Sequence, residues 1–155
     1  MQKKFVVMLF AVVALCLTAS AVCAANAAMT PKKVAVVRNL TSDDHTKQFF
    51  EGCVSEGKSF GYSVDTFISD GDDARMQTLV EQAIQKRYDG LIISHGKTDY
   101  SYDMLKPAVD AGIKVVTFDT MAIRGGKLLE GITSTAQDDI KLAELSLGEL
   151  EKLGK

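Results

Sequence analysis

Four apolar residues in succession, Val34-Ala35-Val36-Val37, follow Pro31 and two lysines and empty into Arg38-Asn39-Leu40-Thr41-Ser42-Asp43-Asp44-His45. A run that is apolar at every position, rather than at every second one, belongs to a strand covered on both faces, the habit of parallel sheets. Parallel neighbours must be joined by crossovers, usually helices, so this stretch predicts an alternating β and α architecture. In an open sheet of that kind ligands bind beyond the carboxyl ends of the strands. The polar stretch after Val37 is therefore the first candidate for function.

The rest of the chain repeats the theme. Over 46–60, Phe49, Phe50, Cys53, Val54 and Phe60 fall on one helical face that ends at Gly61. A second strand over 62–68 runs into Ser69-Asp70-Gly71-Asp72-Asp73. This acidic turn lacks the later bidentate Glu of a calcium loop and reads as a solvated turn with Asp72 or Asp73 as helix cap. A helix over 74–87 carries Leu79, Val80, Ala83 and Ile84 inward, and a third strand, Gly90 to Ser94, empties into His95-Gly96-Lys97-Thr98-Asp99. A short third helix is expected to hold Leu105, Ala108 and Val109 inward, with Pro107 near its first turn and Gly112 closing it. The fourth strand, 113–118, ends at Asp119, and a short strand over 128–133 leads to a last helix, about 137–153, with Ile140, Ala143, Leu147 and Leu150 on its inward face. The expected fold class is α/β: a doubly wound parallel sheet of about five strands in three layers, with the first strand central.

The amino terminus has a different character. Lys3 and Lys4 precede an apolar run from Phe5 to Leu17, and Ala25-Asn26-Ala27 offers small residues where a signal peptidase reads them. Residues 1–27 are expected to be a cleaved export signal and 28–155 the folded part, with Ala24 the alternative cleavage site. An uncleaved anchor is the competing reading, because no charge occurs from Phe5 to Thr30. Leu15 before Cys16 and Val22 before Cys23 disfavour a lipid anchor, which needs a small residue there. Cleavage predicts a periplasmic protein without stable membrane insertion. It would leave Cys53 as the one cysteine, so an ordinary core and no internal disulfide must hold the fold. The formal charge of the whole chain is −2 and its basic residues are scattered, which argues against a nucleic-acid partner.

Collected at the strand ends are Asn39, Ser42, Asp43 and His45 from the first loop, Ser94 and His95 from the third, and Asp119 and Thr120 from the fourth. The set is rich in donors and acceptors and poor in permanent positive charge, which suits a ligand covered in hydroxyls. Neither nucleotide fingerprint, G-x-x-x-x-G-K-[ST] nor G-x-G-x-x-G, follows any strand. No G-x-S-x-G elbow supports a serine nucleophile, and no His or Cys pair has metal-ligand spacing, so neither an enzyme nor a cofactor or metal is expected. For each of these residues a capping or loop-ordering hydrogen bond is the competing role. Asp119 is the strongest candidate, since a carboxylate ending an apolar strand loses solvation and needs a partner.

The export signal, VAVV, Phe50-Glu51-Gly52, Phe60-Gly61-Tyr62, Asp89-Gly90-Leu91-Ile92-Ile93, Ala111-Gly112-Ile113-Lys114-Val115-Val116 and Phe118-Asp119 together resemble the periplasmic sugar-binding proteins of the ribose-binding type. These are type I solute receptors of ABC importers, related to the effector domains of LacI-type repressors. The resemblance runs from about Lys32 to the end. It implies a monosaccharide or polyol ligand and a permease in the inner membrane as partner. By it, Asn39 and Asp43 match first-loop positions that hydrogen-bond sugar hydroxyls, and Asp119 matches the strand-end carboxylate that does the same. His45 and Thr46 stand where relatives place stacking aromatics, and Thr120 where an arginine is common. Members of the family have two lobes that close on the ligand, and this chain reaches Gly154-Lys155 where the first would cross to the second. It resembles a single lobe, one wall of a cleft. The alternative from another class is a receiver-like or flavodoxin-like signalling module, with Asp43-Asp44 after the first strand in its favour and Ser94, where a receiver carries Asp, against it.

Overall fold

The computed structural model describes residues 30–154, and the expected export signal over 1–27 lies outside the described residues. Five parallel strands form the sheet: β1 (Lys33–Arg38), β2 (Ser63–Ile68), β3 (Gly90–Ser94), β4 (Lys114–Phe118) and β7 (Ile132–Thr135), in the order β2-β1-β3-β4-β7. The expected doubly wound α/β sheet is the one observed, with β1 between β2 and β3. Helix α1 (Asp44–Ser59) joins β1 to β2, α2 (Asp73–Gln85) joins β2 to β3, and α3 (Thr98–Asp110) joins β3 to β4.

Strand alternation sorts the layers. Ala35, Val37, Leu91, Ile93 and Val115 share one core with Met76, Val80 and Ala83 of α2 and Leu105 and Ala108 of α3. The even-numbered residues of β1, Val34 and Val36, face the other way, toward α1. Gly57 of α1 lies so close to β2 that a Cβ there would come 2.3 Å from a Val64 methyl carbon. Aspartates cap three of the four described helices, and Asp72 does so as expected. The side chains of Asp43 and Asp72 accept from the backbone N–H groups of Thr46 and Arg75, and Asp138 caps the last helix, α4 (Asp139–Leu153), through Lys141.

Three expectations need correction. Helix α3 starts at Thr98, so Pro107 sits in its last turn, not its first. The expected strand 128–133 divides: β5 (Ile123–Arg124) and β6 (Lys127–Leu128) pair as an antiparallel hairpin, and the sheet strand begins only at Ile132. Gly125 and Gly126, with φ of 57° and 75°, supply the two left-handed residues that such a two-residue turn requires. Finally, α4 is amphipathic as expected, yet it buries none of its residues; Ile140 is 75% exposed and Leu147 66%.

The α1 side of the sheet therefore stays partly open. A groove of about 1260 Å³ runs between α1 and the amino-terminal halves of the strands, lined by Val34, Phe49, Cys53, Val64, Ile92 and Val116 among others. No helix among the described residues is long and apolar enough to cross a membrane.

Candidate functional site

The site is built on two successive rows across the carboxyl edge of the sheet. In register, Arg38 lies beside Ser94, Ser94 beside Phe118 and Phe118 beside Thr135. The residue after each strand then donates its backbone N–H to the last carbonyl of the neighbouring strand: Asn39 to Ser94 (2.9 Å), His95 to Phe118 (3.2 Å) and Asp119 to Thr135 (3.0 Å). Asn39, His95 and Asp119 are thus held side by side by the sheet itself, at the point where its hydrogen-bond ladder ends.

Two of these residues are turned into a conformation that side chains rarely adopt. His95 has φ of 62° and Asp119 of 48°, both left-handed, at a cost of about 1 kcal/mol each. Asp119 accepts from the backbone N–H of Gln137 at 3.2 Å, and its other carboxylate oxygen lies 3.9 Å from His95 Nε2. Both side chains keep part of their surface in solvent, 27% for His95 and 21% for Asp119.

Sequence reasoning missed the centre of this arrangement. Arg38, the last residue of β1, is wholly buried, which overturns the expectation of little permanent positive charge at the strand ends. Its Nε donates to Thr46 Oγ1 (3.2 Å), Nη1 to Ser94 Oγ (3.0 Å) and Nη2 to His45 Nδ1 (2.9 Å). The guanidinium carbon sits 4.5 Å above the centre of the Phe49 ring, which in turn stacks on Phe118 at 5.7 Å. Burial lowers the pKa of this arginine, and the charges of Asp43 and Asp119 oppose the shift. The signal for it was present: continuing the alternation of Val34 and Val36 by one step puts position 38 on the α1 side, among residues that α1 covers.

The cation reaches the candidate residues through its partners. Asp43 is held below the usual carboxylate range chiefly by the Thr46 backbone N–H and then by the Thr46 hydroxyl. Ser94 Oγ lies 2.6 Å from His95 Nδ1. Burial pushes the His95 pKa below the ordinary histidine value and the positive charge of Arg38 pushes it further, while Asp119 opposes and His45 adds to the lowering. His95 is therefore neutral at neutral pH.

Asp43, His45, His95 and Asp119 surround Arg38 in this way, whereas the other two candidates have their polar groups engaged elsewhere. Asn39 donates to Asp73 (2.9 Å) and accepts from Ser69 (2.5 Å). Asp73 is also bound by Lys97 and Tyr100; the Lys97 bond is the main reason its pKa is lowered, and burial together with Asp73 raises the Tyr100 hydroxyl to about 12. Thr120 is 1% exposed; its hydroxyl accepts from the Gly96 N–H and donates to the Phe118 carbonyl, which fastens the loop after β3 to the loop after β4. Chemically, the edge offers a carboxylate, two imidazoles and an aromatic floor.

Comparisons with known proteins agree with this architecture. Residues 34–138 match the family described as periplasmic binding protein domain. A sugar ABC transporter protein from Yersinia enterocolitica, known from its crystal structure, shares 50% identity and superposes with a TM-score of 0.72 over 80% of this chain and 36% of its own. The 5-methylthioribose transporter solute-binding protein from Thermotoga lettingae, solved with 5-methylthioribose, shares 31% identity at a TM-score of 0.69 and is matched over 37% of its length by 77% of this chain. An arabinose-binding protein from Geobacillus stearothermophilus, 23% identical with a TM-score of 0.70 over 80% of this chain and 42% of its own, shows the same fold. No curated protein gives a significant match. The chain thus spans little more than a third of the length of the first two relatives. With the parallel order β2-β1-β3-β4-β7 and a family match over most of the described residues, the chain belongs to the periplasmic binding protein domain family.

Proposed function

We propose that the carboxyl edge of the sheet binds a neutral, hydroxyl-rich small molecule, a monosaccharide or related polyol, as one lobe of the solute receptor of a carbohydrate ABC importer. The observation that carries this reading is the placement of His95 and Asp119 on adjacent strand ends, both in left-handed backbone geometry, beside the imidazole of His45 and the capping carboxylate of Asp43. An oxygen about 2.8 Å from both His95 Nε2 and Asp119 Oδ2 fits their 3.9 Å separation, so one ligand hydroxyl can satisfy both atoms. The names of the relatives, a sugar transporter protein and a 5-methylthioribose receptor, point to the same class of ligand. Export to the periplasm and delivery to an inner-membrane permease belong to this proposal, as does a second lobe facing the edge to complete the cleft. Asn39 and Thr120 act in it as supports of the two loops that present the binding groups. The family match and Ser94 at the end of β3 favour it over a receiver-like module.

The test is a titration of the protein with pentoses, hexoses, polyols and 5-methylthioribose, followed through backbone amide resonances, which register weak binding. Saturable shifts at His45, His95 and Asp119 are expected for at least one of them. Shifts absent for every member of the panel, or confined to the opposite end of the strands, would remove the reading.

A further inference from the structure

We infer that Arg38 is a positioning residue that fixes both histidines of the site as their Nε2–H tautomers, so that the edge presents two imidazole N–H donors beside the Asp119 carboxylate. The consequence for a ligand rests on the binding reading above; the tautomers themselves do not.

The Arg38 guanidinium can act only as a donor. It carries five N–H donors and no acceptor, so whatever it hydrogen-bonds must accept. His45 Nδ1, 2.9 Å from Nη2, is therefore the bare nitrogen of that ring, and in the neutral imidazole the proton resides on Nε2. Ser94 passes the same polarity one step further. Its oxygen accepts from Nη1 at 3.0 Å, which leaves its own hydrogen to be placed. Ser94 is wholly buried, and among the described residues His95 Nδ1, at 2.6 Å, is the acceptor within reach of that hydroxyl. If His95 Nδ1 carried the proton instead, two donors would meet and the buried serine hydrogen would go unsatisfied, a loss of about 1 to 3 kcal/mol. The serine therefore donates, and His95 too holds its proton on Nε2, the atom 3.9 Å from Asp119.

One buried cation thus sets the direction of two hydrogen-bond paths, and a third runs through Thr46 to Asp43. Among the described residues the guanidinium hydrogen-bonds no carboxylate directly, and each of its three partners is a group whose polarity it dictates. Toward a ligand the result is selective. Two N–H donors and a carboxylate suit a hydroxyl that accepts from one and donates to the other.

The chain contains two histidines, so nitrogen-15 spectra of the imidazoles read the tautomers directly, with His45→Gln and His95→Gln assigning the signals. In the ligand-free protein above the titration of both rings, each histidine is expected to show a bare Nδ1 and a protonated Nε2. A protonated Nδ1 on either ring, or a mixture of forms, overturns the inference. Ser94→Ala is expected to move the His95 nitrogens toward the free-imidazole mixture and leave those of His45 in place. Unchanged His95 nitrogens in that variant would show that the relay is absent. Arg38→Met, with its fold checked by amide dispersion, is expected to release both rings. Because every reading is made without ligand, failure of the sugar titration leaves this result standing, and the reverse holds too.

Discussion

The two ends of the α1 side of the sheet carry the same strands and the same alternation, yet they are finished in opposite ways. At the carboxyl end the last row closes over a buried arginine whose donors bind Thr46, Ser94 and His45 and whose guanidinium carbon lies over the Phe49 ring. Toward the amino end, Val34, Ile92 and Val116 line an open apolar groove, while the apolar face of α4 lies exposed elsewhere. A satisfied polar centre has a geometry of its own, because each hydrogen bond fixes a direction. An apolar face lacks that directionality and is ordered only by what packs upon it. The side chains around Arg38 are therefore held in fixed directions, while part of the hydrophobic surface stays exposed.

The largest effect is expected at Arg38. Arg38→Ala removes the cation, leaves a hole over the Phe49 ring and deprives two buried hydroxyls of a donor. A loss of about 3 kcal/mol is expected in urea unfolding. A loss below about 1 kcal/mol would mean that the carboxyl end is no better determined than the groove.

Gly57→Ala probes the groove end, where α1 meets β2. The added Cβ would come 2.3 Å from Val64 Cγ2, so helix or strand must shift, at an expected cost of about 2 kcal/mol. Gly52→Ala in the same helix is the control. A Cβ there meets nothing within 4 Å, and the gain in helix propensity should stabilise by about 0.5 to 1 kcal/mol. Equal effects at the two positions would show that α1 is not seated on β2 as described.

These contrasts also explain what the sequence disclosed. The apolar run of β1 and the strands after it announced a parallel sheet, since burial on both faces leaves its mark in every residue. Asp72 was legible as a cap because capping is local, and for Asp43 capping was the competing role to ligand binding. Asp119 and His95 could be placed at strand ends, but their left-handed backbones and their proximity across neighbouring strands are products of register. Arg38 was overlooked because a charge following an apolar run reads as the start of a solvated loop; only the packing of α1 over the alternating face turns it inward. The hairpin of β5 and β6 was hidden by the shortness of its strands, although Gly125-Gly126 marked its turn. The periodicity of α4 revealed an apolar face without saying where that face would rest.

A smaller effect is expected from pH, again at the carboxyl end. The folded pKa of His95 is lowered from 6.5, so below that pH the unfolded chain takes up a proton that the folded chain refuses. Stability should therefore be full above about pH 6.5 and decline as pH falls toward the folded pKa. Arg38, Asp119 and His45 are the charged or titratable groups acting on this ring, and its partial exposure keeps the effect modest. Asp43, Asp73 and Asp89, all lowered from 3.8, add their losses only at more acid pH. Urea midpoints measured from about pH 7 to about pH 5 should fall in the wild type and stay flatter in His95→Gln. A midpoint that rises on acidification would place the His95 shift in the opposite direction.

The smallest effect is expected at the other extreme of the comparison. Leu147 is 66% exposed on a helix that buries nothing, so Leu147→Gln removes almost no apolar contact from the folded state. Thermal unfolding of this chain should change by no more than about 0.5 kcal/mol, the scale of a surface substitution, whereas the same change at a core leucine such as Leu105 would abolish a buried contact. A loss near 2 kcal/mol at Leu147 would mean that α4 has found a cover in solution, in its own groove or on a second molecule. Repeating the measurement over a range of protein concentrations separates those cases, because only association between chains makes the loss depend on concentration.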